Sequence, residues 1–345
     1  MASRRESGKR LAVRRTPIEK FADARRNAPA VPRSRQALRG SDRGKKIFFL
    51  FTASRPARVE EAIIERSERQ LSEDSIRRET IDVQGVKTEM LTGGTGDTGF
   101  LFLHPERGMR GSETFLRKLA ATGHVIAPHH PGYRLDAPDH FKSVDDLSYF
   151  YLDLMDALDL RNMTLIGASL GGWLAMEIAS KNTARMSSLC LLSPAGVKTS
   201  DRTSRDIVDI FSLDAESAEA MSFHDPNRFA TGIDTSDDME LELVARAREA
   251  SARYAWLPYM HNPKLSHRLH RIDIPTFIIW GNDDRMAPPS VGHALARRLP
   301  RGEFYVLDSC GHYPHIEFAE TVAAQISKWR EQHVKSAPDA VKGAA

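Results

Sequence analysis

"LIGASLGGW" (residues 165–173) closes an apolar run and opens a segment whose apolar residues recur three and four apart, so a strand hands over to a helix at Ser169. Gly167 and Gly171 stand symmetrically about the serine. A strand that turns into a helix this abruptly strains the backbone at the turning residue, and side chains at the flanking positions would collide. Ser169 is therefore either a candidate nucleophile presented on a sharp elbow or a small residue in a tight turn.

The pattern around this stretch repeats. "ETIDVQGVKTEML" reads as a hairpin around Gln84-Gly85, and "GFLFLH" as a strand. Apolar runs at 124–128, 163–167, 187–193, 275–280 and 303–307 are further strands. Their continuous apolarity suits a sheet covered on both faces. Helical periodicity fills the gaps in "SETFLRKLAATG", "SVDDLSYFYLDLMDALDL", "SLGGWLAMEIASKN", "SVGHALARRLP" and "EFAETVAAQISKWREQ". Strand and helix in alternation give an α/β fold with a mostly parallel central sheet and helices on both faces. The glycines at 94, 96 and 99 have dinucleotide-loop spacing, but they open a strand where such a loop must open a helix, so they form a turn.

Residues 197–272 break the alternation, carrying helical stretches such as "SRDIVDIFSLDAESAEAM" and "DDMELELVARAREASARYAWL" but no clear strand, and are expected to form a helical lid inserted after the sixth strand. The core then comprises 79–196 and 273–335, followed by a tail at 336–345. Ahead of it, "PARVEEAIIERSERQLS" places one amphipathic helix in a linker at 46–78.

The chain has 345 residues, 41% of them apolar, and a net charge of +3. Residues 1–45 hold 14 Lys or Arg against 4 Asp or Glu, so a basic extension of disordered composition precedes a mildly acidic body. That extension is a solvated arm, a mitochondrial transit segment, or an arm for nucleic acid or an anionic surface. It lacks the apolar segment of a secretory signal, and "IFFLF" is too short to span a bilayer. Two cysteines, Cys190 and Cys310, make no disulfide framework, which favours a reducing, cytoplasmic compartment.

A serine hydroxyl attacks only when a base takes its proton, and the base needs a carboxylate to fix its tautomer. Asp283 and Asp284 follow the strand "TFIIWGN", and His312 follows "EFYVLDSCG" in the same way. His312 and His315 also have metal-like spacing, yet no convergent ligand set accompanies them, so neither metal nor cofactor is expected.

Residues 79–333 resemble an α/β-hydrolase. "GASLGGW" is similar to its nucleophile elbow, "WGNDDRMAP" to its acid loop and "GHYPHIE" to its histidine loop, in the family's order. "SVDDLSYFYLDLMDALDL" and "YMHNPKLSHRLHRIDIP" resemble stretches of its capped members. The resemblance implies Ser169 as nucleophile, His312 as base and Asp284, ahead of Asp283, as the acid. It implies an oxyanion hole from the N–H groups of Leu170 and Glu106, no cofactor, and a small-molecule acyl substrate cleaved through an acyl-serine. Dehalogenase and epoxide hydrolase chemistry is disfavoured, because those members carry Asp where Ser169 stands. Carbon–carbon bond hydrolase, lactonase and acyltransferase activities stay open, as does a non-catalytic binding protein.

One departure from the family concerns the loop after "FLFLH", where the usual His-Gly is His104-Pro105 and proline has no N–H to give. An acidic side chain at Glu106 is also unexpected beside an oxyanion, unless it points away or pairs with Arg107 or Arg110. The His129-His130 pair is expected to support the pocket rather than react. Trp173, Trp256, Tyr259 and Met260 are the candidates for substrate contact, with core or lid packing as the alternative for each.

Overall fold

The structure, a computed structural model, describes residues 76–334 except 97–98, 202 and 231–235. The basic extension at 1–45, the amphipathic helix expected at 56–72 and the tail at 336–345 lie outside the described residues. Eight strands form one sheet: β1 (Arg77–Val83), β2 (Val86–Gly93), β3 (Gly99–Leu103), β4 (His124–Pro128), β5 (Met163–Ala168), β6 (Met186–Leu192), β7 (Thr276–Gly281) and β8 (Gly302–Leu307). Their spatial order is β1-β2-β4-β3-β5-β6-β7-β8. The β1–β2 hairpin pairs antiparallel, β2 pairs antiparallel with β4, and every later pair is parallel.

Parallel strands require crossovers, and the helices supply them. They are α1 (Glu113–Ala120), α2 (Val144–Ala157), α3 (Leu170–Lys181), α4 (Ala215–Ser222), α5 (Pro226–Phe229), α6 (Asp238–Ala255), α7 (Pro289–Ala296), α8 (Pro314–Glu317) and α9 (Ala319–His333). At the start of α2 the Ser143 hydroxyl accepts the Asp146 N–H, while the Asp146 carboxylate accepts the Ser143 hydroxyl and the Lys142 N–H. That reciprocal cap satisfies donors a helix end leaves open.

Alternation along the strands divides the core into two layers. Leu101, Leu103, Leu165, Leu189, Leu191, Ile278 and Trp280 pack with α2, α3 and α7 on one face. Their neighbours Phe100, Phe102, Ile166, Cys190, Leu192, Phe277 and Ile279 pack with α1 and α9 on the other. Side chains at successive strand positions point to opposite faces, so burying both faces makes the run apolar throughout.

Between β6 and β7 the described residues hold α4, α5, α6 and two 3-10 turns. The helical stretch expected over 204–221 is helix only from Ala215 onward. Upstream, Asp201 accepts the Thr203 and Ser204 N–H groups, Asp206 those of Thr199 and Ser200, and Asp209 that of Phe211. Short acidic side chains that capture nearby N–H groups offer the backbone an alternative to the helix. Among the described residues no helix is long and apolar enough to cross a membrane.

The β7 core residue Trp280 is fully buried, and its indole N–H donates to the Ala287 carbonyl at 2.9 Å. Trp280→Ala is expected to lower the unfolding free energy by about 3–5 kcal/mol in urea denaturation. A loss below about 1 kcal/mol would contradict the packing described for this layer.

Candidate active site

β3 neighbours β4 on one side and β5 on the other, so the connections leave in opposite directions at the β3/β5 boundary. Crevices at the carboxyl ends of such strands are where open α/β sheets bind ligands. Ser169, Asp284 and His312 converge there.

Ser169 lies between β5 and α3 with φ at +46° and ψ at −112°. The flanking glycines are required by close backbone approach: a Cβ on Gly167 would lie 2.3 Å from the Gly171 oxygen, and one on Gly171 would lie 2.1 Å from the Leu103 oxygen. The first turn of α3 therefore sits directly on the end of β3. His312 enters on the loop after β8, where its N–H donates to the Ser222 carbonyl at 2.7 Å. Asp284 enters on the loop after β7.

These three side chains form one line. His312 Nδ1 lies 2.8 Å from Asp284 Oδ2, and His312 Nε2 lies 2.9 Å from Ser169 Oγ. A carboxylate only accepts, so Nδ1 carries the proton and Nε2 of the neutral ring is left to accept from the serine hydroxyl. Asp284 Oδ1 is held by the N–H groups of Met286 and Ala287, each at 2.9 Å. All three residues are buried. Asp283 instead faces outward and bonds His224 at 2.5 Å, so of the two neighbouring acids it is Asp284 that meets the histidine.

Burial is the largest single influence on His312 and disfavours its cation, but the charge and hydrogen bond of Asp284, with the Glu106 charge, outweigh it and raise its pKa above 6.5. The other buried histidines go the opposite way. Burial, reinforced by the Arg107 and His312 charges, lowers His315 to about 3, and its ring lies among Phe102, Phe115 and Tyr313. Burial lowers His130 to about 3 as well. Among the described residues no group of three His, Cys, Asp or Glu could hold a metal ion.

The loop that departs from the family pattern is braced from behind. His104 Nε2 accepts the His130 N–H at 2.9 Å, which leaves Nδ1 to donate to the Pro105 carbonyl at 2.7 Å. His130 in turn donates through Nε2 to the His104 carbonyl at 3.0 Å and accepts the Tyr151 hydroxyl at 2.6 Å. His130 thus braces the loop through its backbone N–H and its ring. Glu106 does not pair with Arg107 or Arg110; Tyr313 donates its hydroxyl to the Glu106 carboxylate, and Ser251 donates to the Glu106 carbonyl at 3.0 Å. Leu170, as the first residue of α3, has no intrahelical acceptor for its N–H.

A cavity of about 430 Å³ is lined by Glu106, Tyr313 and Ser222, which neighbour the line of three, and by Arg107, Arg110, Glu219 and one face of α6; among its lining residues are none of Ser169, Asp284 and His312. None of the four residues expected to contact substrate lines it. Trp173 is buried and donates to Glu177 at 3.2 Å, its ring packed on Gly196. Trp256 is half exposed against Phe211. Tyr259 donates to the Val208 carbonyl at 2.7 Å, and with buried Met260 it lines a separate cavity near Lys198. The residues that do line the first cavity come from the loop after β3, one face of α6, α4, the loops after β4 and β8, and the β1–β2 hairpin, and no spacing in the sequence joins them.

Residues 94–325 match the alpha/beta hydrolase family. The chain is 27% identical over 226 residues to a pimeloyl-[acyl-carrier protein] methyl ester esterase of Neisseria meningitidis, covering 61% of this chain and 70% of that one. It is 28% identical over 190 residues to a 2-hydroxy-6-oxononadienedioate/2-hydroxy-6-oxononatrienedioate hydrolase of Paraburkholderia phymatum. That match covers 48% of this chain and 62% of the relative, less than two thirds of its length. In fold it is similar to a serine hydrolase from Cycloclasticus zankles, with a TM-score of 0.65, 18% identity, and 76% of this chain and 100% of that chain covered.

The contrast among the histidines is directly measurable. In nitrogen-15 spectra of labelled protein, His130 and His315 are expected to stay neutral at pH 5, where an unperturbed ring with a pKa of about 6.5 would be charged. His312 is expected to take up its proton already above pH 6.5 as the pH falls. Protonation of His130 ahead of His312 would contradict the described bonding.

Proposed function

The chain belongs to the alpha/beta hydrolase family, and on that premise we propose that it is a serine hydrolase acting on an ester or related acyl bond of a small molecule through Ser169, His312 and Asp284. The observation that carries this reading is the buried line from Ser169 through His312 to Asp284, at 2.9 and 2.8 Å. The esterase relative agrees with it.

In the proposed reaction the Ser169 oxygen attacks the substrate carbonyl carbon while His312 Nε2 takes the hydroxyl proton. Asp284 keeps the other ring nitrogen protonated and stabilises the cation as it forms. Negative charge moves to the carbonyl oxygen, where the N–H groups of Leu170 and Glu106 are the proposed donors, each worth about 3 kcal/mol in such sites. Collapse of the intermediate expels the alcohol, which receives its proton from His312. Water then attacks the acyl-serine carbonyl as His312 takes its proton, and collapse releases the acid while His312 returns that proton to Ser169 Oγ. The segment between β6 and β7 is the proposed lid. A reducing, cytoplasmic location is inferred from the buried thiols of Cys190 and Cys310, which are not joined.

The test is turnover of p-nitrophenyl esters of graded chain length. Ser169→Ala and His312→Ala are each expected to lower kcat/KM by at least about a thousandfold, and Asp284→Asn by a comparable factor, through loss of the correct tautomer. Asp283→Asn is expected to stay within about threefold, since that side chain points away from the histidine. Activity needs neutral His312, and a raised pKa moves the acidic limb of kcat/KM to higher pH, so the limb is expected above 6.5. Turnover by Ser169→Ala equal to the unaltered chain would exclude this reading.

A further inference from the structure

The cavity lined by Glu106 and Tyr313 holds buried guanidinium donors that hydrolysis of a neutral ester does not require. Arg107 contributes to its wall with a side chain only 9% exposed, its guanidinium 5.2 Å from the ring centres of both Phe223 and Tyr313. Its Nη2 shares Glu219 Oε1 with Nη2 of Arg110, at 3.1 and 2.6 Å. Glu219 is thus shared by both guanidinium groups, and Arg110 forms a second, longer ion pair with Glu240. Nε and Nη1 of Arg107 and Nη1 of Arg110 are buried without a hydrogen-bond acceptor, although Glu240 lies 3.5 Å from the last of these. Burying a charged donor without an acceptor is costly, and the planar fork of a guanidinium matches a carboxylate bidentately.

We propose that this cavity seats the anionic end of an acyl substrate, with a carboxylate on Arg107 and Arg110 and the scissile carbonyl at Ser169. The proposal rests on the serine hydrolase reading for the carbonyl and adds the class of acyl group. Spacing supports it: the Tyr313 ring is 5.2 Å from the Arg107 guanidinium and 5.0 Å from the His312 ring, so a short methylene chain beside Tyr313 bridges the two ends. The apolar part of the wall, with Met109, Phe211, Leu243 and Val244, suits that chain. Glu106, held by Tyr313, keeps negative charge unwelcome beside the reacting carbonyl, so the substrate's own charge belongs at the far end. Glu219, which lies on α4, fills part of the seat and competes with the ligand.

Binding to the Ser169→Ala variant tests this without depending on turnover. Titration calorimetry would compare the mono-p-nitrophenyl ester of adipic acid, which keeps a free carboxylate, with its methyl-capped counterpart. The charged ester is expected to bind at least about tenfold tighter. Adding Arg107→Gln is expected to bring the ratio near one, whereas adding Glu219→Gln, which removes the carboxylate that the two guanidinium groups share, is expected to widen it severalfold. The Glu219→Gln arm keeps the test decisive if Arg107→Gln fails to fold. Equal affinity for the two esters, a preference that survives Arg107→Gln, or one that narrows with Glu219→Gln would overturn the proposal. Failure of the serine hydrolase reading would show itself separately, as absent turnover with the binding preference intact.

Discussion

Ser169 holds an L side chain at φ +46°, a backbone state that costs on the order of 1–3 kcal/mol and persists only where its surroundings over-determine it. Here the surroundings do so by hydrogen bonding. The Ser169 N–H extends the β5–β6 ladder to the Leu192 carbonyl at 3.0 Å, and the Ser169 carbonyl accepts from Gly172, Trp173 and Ala195 at 2.9, 3.1 and 3.0 Å. Those bonds tie the elbow to the strand before it, the helix after it and the end of the neighbouring strand. The absence of side chains at Gly167 and Gly171 then lets α3 seat against the ends of β5 and β3. Relaxing that one residue would swing its hydroxyl off the histidine and move the helix start away from the 104–106 loop.

From that fixed point the rest of the site follows through the sheet. Parallel strands bring their carboxyl ends to one edge, so residues far apart in sequence, such as Ser169 and His312, meet within 2.9 Å. Burial then sets the electrostatics, but its outcome depends on the partner. His130 and His315 lack a bonded carboxylate and lose their proton affinity; His312, equally buried, gains it because Asp284 sits on its ring. The same fold thereby keeps its supporting histidines neutral while leaving one poised to accept a proton.

The strands and the crossover helices were legible because each depends on a local pattern: continuous apolarity for doubly covered strands, helical period between them, and glycines where backbones touch. Asp284 was separable from Asp283 only by resemblance, since nothing in "NDD" says which carboxylate turns inward. The cavity was not legible at all. Its arginines sit in the irregular loop "PERGMR", Glu219 in a short helix whose start is displaced by Asp206 and Asp209, and their meeting is a tertiary event with no sequence period. The aromatic candidates failed to line that cavity for the complementary reason: Trp173 and Tyr259 found hydrogen-bond partners in packed structure, where large amphipathic side chains also fit.

The central claim is that the Ser169 hydroxyl is activated by its surroundings, and covalent trapping addresses it most directly. A fluorophosphonate reacts with a serine only where a base removes the proton and donors stabilise the developing phosphorus oxyanion, demands that an ordinary surface hydroxyl does not meet. With peptide mapping by mass spectrometry, the account predicts a single stoichiometric adduct on Ser169. An adduct on another residue, or none on well-folded protein, would contradict it.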